Sequence, residues 1–128
     1  RDNAYALAPV FDNGSCLFPN LTDEDEMAVI MASPEETARR VYAFPTSQIK
    51  LRGKKSSYFE VIHSLAFDEC NRALAEVMGR VDMGRIEGLV SEVPQISDVH
   101  RAFYLHMIRA RYAGILVASH ASLGRRFL

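Results

Sequence analysis

From Ser97 to about Ser119 the sequence carries apolar residues at helical spacing on two faces at once. Val99, Phe103, Met107 and Ala110 fall on one face; Leu105, Ile108, Tyr112 and Ile115 fall on another. A helix with one apolar stripe can lie on a surface, but one apolar on two sides has to be enclosed by neighbours. The chain is therefore expected to be mainly α, a bundle wrapped around its own last helix. Its 128 residues, 48% of them hydrophobic, suffice for one core and for one domain.

The preceding helices announce themselves by their starts. Thr22 is the expected cap of a helix whose first turn holds Asp23-Glu24-Asp25-Glu26, where unpaired N–H groups favour negative charge. Ser33-Pro34-Glu35-Glu36 is a second start, with Ser33 as cap, Pro34 at the first helical position and Glu36 closing a capping box. That helix should stop near Phe44, because Pro45 forces its predecessor out of the helical region. Ser57 caps a helix reaching Leu65; others are expected over Asp68 to Val77 and from Asp82, as cap, to Val93. About six helices result. Extended structure is expected only in a short N-terminal hairpin or strand around Tyr5 and Leu7, limited by Pro9, and in a piece at Gln48-Ile49-Lys50-Leu51 closed by Gly53.

Charge excludes some functions. A net charge of −1 gives no surplus of Lys and Arg for a phosphate backbone, so no direct nucleic-acid partner is expected. No segment has the length of a membrane span, and the start at Arg1-Asp2-Asn3 shows no signal-peptide pattern. Cys16 and Cys70 fit no metal spacing and read as reduced thiols of a cytoplasmic protein. The first third is acidic, while no Asp or Glu occurs from His100 to Leu128. Arg109 and Arg111 are accordingly expected to pair with the acidic first third.

Candidate chemistry begins at Asp12. A carboxylate after the apolar pair Val10-Phe11, where the chain turns at Asn13-Gly14, is the type of oxygen donor that a hard divalent cation takes. The same residues read alone also describe a carboxylate that caps a turn. A basic loop, Lys50, Arg52, Lys54 and Lys55 followed by Ser56-Ser57, offers Lys50 and Lys54 as weak candidates for a phosphate or a substrate segment, against the plain reading of a solvated loop. His63, His100, His106 and His120 have neither the spacing of a metal pair nor a triad partner.

The run Leu7-Ala8-Pro9-Val10-Phe11-Asp12-Asn13-Gly14-Ser15 resembles the segment of HipA-like serine/threonine kinases that stands for the Asp-Phe-Gly motif of other protein kinases. Phe18-Pro19-Asn20-Leu21-Thr22, Phe44-Pro45-Thr46-Ser47-Gln48-Ile49-Lys50 and Lys54-Lys55-Ser56-Ser57-Tyr58 resemble a subgroup of that family in the same order. The resemblance implies the helical C-terminal lobe of such a kinase. It implies Asp12 as ligand of Mg2+ against the phosphates of ATP, with Asn13 and Gly14 shaping the nucleotide side of the turn. The family's glycine-rich loop, nucleotide-contacting Lys, catalytic Asp and second metal-binding Asn are not found in the chain. They would lie before Arg1, in a nucleotide-binding N-terminal lobe, and this chain alone is expected to be inactive. A protein substrate is implied, as is a possible antitoxin partner of a bacterial toxin–antitoxin pair. The competing expectation is a non-catalytic helical interaction or scaffold module, either a degenerate kinase lobe or an antitoxin-binding domain.

Overall fold

The computed structural model describes Pro9, Cys16 to Phe44 and Thr46 to Arg126; the strand or hairpin expected around Tyr5 and Leu7 lies outside these residues. Within them, helices α1 (Glu24–Ala32) and α2 (Pro34–Ala43) are followed by an antiparallel pair, β1 (Lys50–Leu51) and β2 (Lys54–Lys55). Then come α3 (Tyr58–His63), α4 (Asp68–Met78), α5 (Met83–Glu92) and α6 (Asp98–Arg111). A π-helical turn (Tyr112–Val117) joins α6 to α7 (Ala118–Arg125) without a break. With that last rod counted as one helix, the expected bundle of about six is what forms.

Most starts are set by the expected side chains. Ser33 Oγ accepts from the N–H of Glu36 at 3.2 Å, and Asp82 Oδ1 and Ser97 Oγ do the same for Arg85 and His100. Ser57 makes a full capping box, its Oγ receiving the N–H of Glu60 while the Glu60 carboxylate receives the N–H of Ser57 at 2.7 Å. Two starts differ from expectation. Asp23, not Thr22, caps α1, its Oδ1 taking the N–H groups of Asp25 and Glu26, because a carboxylate is the stronger acceptor beside a positive helix end. The box at Ser33 is only half made, since the Glu36 carboxylate turns outward to Arg39 and Arg40 instead of back to the cap.

The ends follow the same logic. Phe44, before Pro45, is extended at φ −129° and stops α2 at Ala43. Helix α3 stops at His63, short of the expected Leu65, which adopts a left-handed φ of 53°. That conformation costs a branched residue about 1–2 kcal/mol. It is offset because the Leu65 side chain is buried and its carbonyl accepts from Asn71 Nδ2 and Arg126 Nη1.

The last rod is central, as its two apolar faces require. Helix α6 packs on α1, α2 and α5; the π-helical turn and α7 pack on α3 and α4. Met27, Ile30, Val41, Phe103, Met107 and Ile115 form the larger core, and Leu65, Leu74 and Leu123 a smaller one further along the rod. The rod runs to Arg125, past the expected end near Ser119, since nothing among Ala118–Arg125 breaks it and Ser119 and Leu123 are buried.

Candidate functional site

Asp12, Asn13 and Gly14 lie outside the described residues; the chain enters the described part a few residues later, at Cys16. There it is fastened. Arg111, at the end of α6, donates Nη1 to the Cys16 carbonyl and Nη2 to the Phe44 carbonyl at 3.1 Å. Its guanidinium lies 5.2 Å from the centre of the Phe18 ring, whose other neighbour is the fully buried Phe103 at 6.1 Å. Phe18 holds a φ of 56°, and the Leu21 N–H closes the following turn on the Phe18 carbonyl. One arginine thus ties the segment after Asp12 to the end of α2 and stacks it on the core.

Burial pulls the Arg111 pKa below its ordinary value, with Cys16 acting in the opposite sense. A guanidinium starts so high that it stays charged. Its Nε is buried without a partner among the described residues. Beside it opens an apolar groove of about 430 Å³, walled by Tyr42, Phe44, Tyr58, Ile62, Met83 and Ile86.

The cation pairing expected from the sequence is corrected. Arg111 binds carbonyls, and Arg109 makes a two-pronged pair with Glu87 on α5, at 2.7 and 2.8 Å, rather than reaching the acidic first third. That third is served by Arg40, which bridges Glu36 and Glu26. Arg39 and Arg40 hold the Glu36 carboxyl below its usual range, and Arg109 does so for Glu87. Two of the histidines bond within the bundle. His106 Nε2 lies 2.8 Å from Thr37 Oγ1, whose proton goes to the Ile30 carbonyl, so Nε2 is the protonated nitrogen. His63 Nδ1 lies 3.1 Å from the buried Ser119 Oγ, with its ring stacked on Phe59.

Lys50 and Lys54 are on the hairpin, Lys50 opposite Lys55 and Lys54 opposite Leu51. Among the described residues the hydrogen bonds of Arg111 go to Cys16 and Phe44 and not to the hairpin. Nor, among those residues, do three or more His, Cys, Asp or Glu side chains gather where a metal could bind. No helix among them is long and apolar enough to cross a membrane. Sequence reasoning missed the Arg111 tie. No residue pattern could have found it, because its acceptors are the backbone carbonyls of Cys16 and Phe44.

In sequence and in fold the chain is similar to a serine/threonine-protein kinase. The particular relatives are two views of one protein. The chain is 31% identical over 117 residues to the serine/threonine-protein kinase CtkA of Helicobacter pylori, across 91% of this chain and 36% of that kinase. The crystal structure of the Helicobacter pylori proinflammatory kinase CtkA superposes with a TM-score of 0.83 at 30% identity, over 94% of this chain and 43% of that one. No protein-family model matches the chain. The expected resemblance to part of a HipA-like kinase is borne out by both matches, and the expected helical fold by the structural one. The chain spans well under half the length of the kinase it matches.

Proposed function

We propose that this chain is the helical C-terminal lobe of a serine/threonine protein kinase that acts in the cytoplasm. The full protein would transfer the γ-phosphoryl group of ATP to a Ser or Thr hydroxyl of another protein. The observation that carries the reading is the kinship with a serine/threonine-protein kinase along nearly the whole chain, in sequence and in fold together.

In this reading Asp12 is the one metal ligand the chain supplies. A lone carboxylate suits a hard cation but does not complete its shell, and the described residues add no cluster to it. The bound Mg2+ would offset charge on the transferred phosphoryl group. The remaining donors, and the nucleotide lobe, would come from outside these 128 residues. What the described residues do is hold the strand of chain that follows Asp12. Arg111 fixes the Cys16 carbonyl, and Phe18 anchors the turn on Phe103. Asn13 and Gly14 would form the turn at the nucleotide.

The test is phosphoryl transfer by the full-length protein. Asp12→Ala should lower the rate by several orders of magnitude, as removal of a ligand to a catalytic metal does. Transfer at the wild-type rate would remove Asp12 from the site. A second reading, a non-catalytic interaction module such as an antitoxin-binding scaffold, is favoured by the apolar groove with its exposed Phe44 and Tyr58. Measurable transfer by the wild-type full-length protein would exclude it.

A further inference from the structure

The hairpin between α2 and α3 sets cations against one another. Its register puts Lys50 directly opposite Lys55 on one face, and Lys54 beside Leu51 on the other. Opposed residues in such a pair are about 5 Å apart, and like charges so placed repel. Arg52 and Gly53 make the turn with φ of 51° and 79°, a conformation that glycine takes freely and arginine does not. The arrangement is nevertheless held firmly at its base. Ser56 N–H donates to the Ile49 carbonyl at 2.9 Å, Ile49 N–H donates to the buried Ser47 Oγ at 3.0 Å, and Arg52 lies over the Phe67 ring. Lys50, Lys54 and Lys55 are exposed, and none makes an ion pair or hydrogen bond through its ammonium group among the described residues. A built hairpin therefore carries a knot of positive charge that the rest of the described chain leaves uncompensated.

We propose that this hairpin docks an acidic segment of a partner protein, and, resting on the kinase reading, that this segment adjoins the phosphorylated hydroxyl of the substrate. The chain as a whole carries −1, and Asp23, Glu24 and Asp25 are exposed at the start of α1. A nucleic-acid backbone or an anionic membrane needs a broad basic face, which such a surface lacks. The basic ladder is only two residue pairs long, about 7 Å of strand. Lys50 and Lys55 share one face, so a carboxylate of an extended acidic peptide laid on that face meets both, while Lys54 on the other face adds to the positive potential around them.

The experiment uses the full-length protein and fluorescent peptides holding a central Ser flanked by Glu, by Gln or by Lys. Binding is read by anisotropy and transfer to the Ser by phosphate incorporation. The Glu peptide should bind about 10-fold tighter than the Gln peptide at low salt, and the preference should fade as salt rises. A Lys50→Gln/Lys54→Gln/Lys55→Gln variant should lose that preference with its melting temperature not lowered, and the corresponding Glu variant should turn the preference toward the Lys peptide. Equal binding of Glu and Gln peptides, a preference that survives in the Gln variant, or tighter binding of an oligonucleotide or an anionic vesicle through the same lysines would overturn the proposal. Preference without transfer would keep the docking site and reject the kinase reading. Transfer without preference would do the reverse.

Discussion

The last rod and the hairpin are both rich in cations, but they treat them in opposite ways. Along the rod every arginine has a hydrogen-bonding partner within the protein. Arg101 Nη1 reaches the carbonyls of Val90, Ser91 and Val93 at the open end of α5, Arg109 holds Glu87, and Arg111 ties Cys16 to Phe44. Arg125 donates to Ser122 and Arg126 to the Leu65 carbonyl. These acceptors are mostly helix ends, whose last carbonyls have no partner within their own helix. Guanidinium groups fork and suit the task; the hairpin has mainly lysines, compact and strongly hydrated charges, and they face water. Charge on the rod is internal fastening, and charge on the hairpin is offered outward.

The contrast can be broken at several points. The largest effect is expected at Arg111. Arg111→Met should destabilise the protein by about 2 kcal/mol, because two charge-assisted bonds are lost while the unpartnered Nε is removed as well. Denaturant unfolding measures this, and a change within error would mean the tie is ornamental. Arg101→Met comes next. Its acceptors lie at the surface, where water can replace the guanidinium, so about 1 kcal/mol is expected by the same measurement.

Smaller still is the effect of acid on the pair that Arg40 and Arg39 make with Glu36. The folded pKa of Glu36 lies below the ordinary carboxylate value of 4.5, so its contribution is present above that value. It is lost as pH falls through the lower, folded pKa. Wild type and Glu36→Gln should differ slightly in melting temperature near neutrality and converge in strong acid; a gap that widens in acid would reverse the assignment. Smallest of all is the hairpin. Lys55→Gln should shift stability by less than about 0.5 kcal/mol and in the favourable direction, as relief of the facing Lys50 charge requires. A clear loss would show that the lysines are structural after all.

Much of the bundle could be read from side chains that act within one turn of their own position. Ser33, Ser57, Asp82 and Ser97 cap where their spacing to the following apolar residues says they should. Asp23 displaced Thr22 because two good caps stood side by side and local sequence does not rank them. The partners of Arg101, Arg111 and Arg126 were not legible for a different reason. Their acceptors are backbone carbonyls, which every residue carries, so no pattern of residue types marks the place. The basic loop was visible as composition, but the confrontation of Lys50 with Lys55 depends on where the turn falls, and Arg52 is a poor advertisement for a left-handed turn. The role proposed for Asp12 rests on the resemblance and on kinship, and the described residues resume only at Cys16.

The π-helical turn has a consequence for how the two cores communicate. The Ala118 N–H reaches back five residues to the Ala113 carbonyl, so the turn holds one residue more than a regular one. It sets α7 back by one residue, about 100° of rotation, relative to an unbroken α-helix. Gly114 permits the wide turn to lie against α2, since a Cβ there would come within 2.7 Å of the Tyr42 hydroxyl. The rod therefore works as a crankshaft. Rewinding that turn, by deleting a residue or crowding Gly114, would swing Leu123 out of the smaller core and Arg126 off the Leu65 carbonyl, while Phe103 and Met107 kept their seats in the larger one.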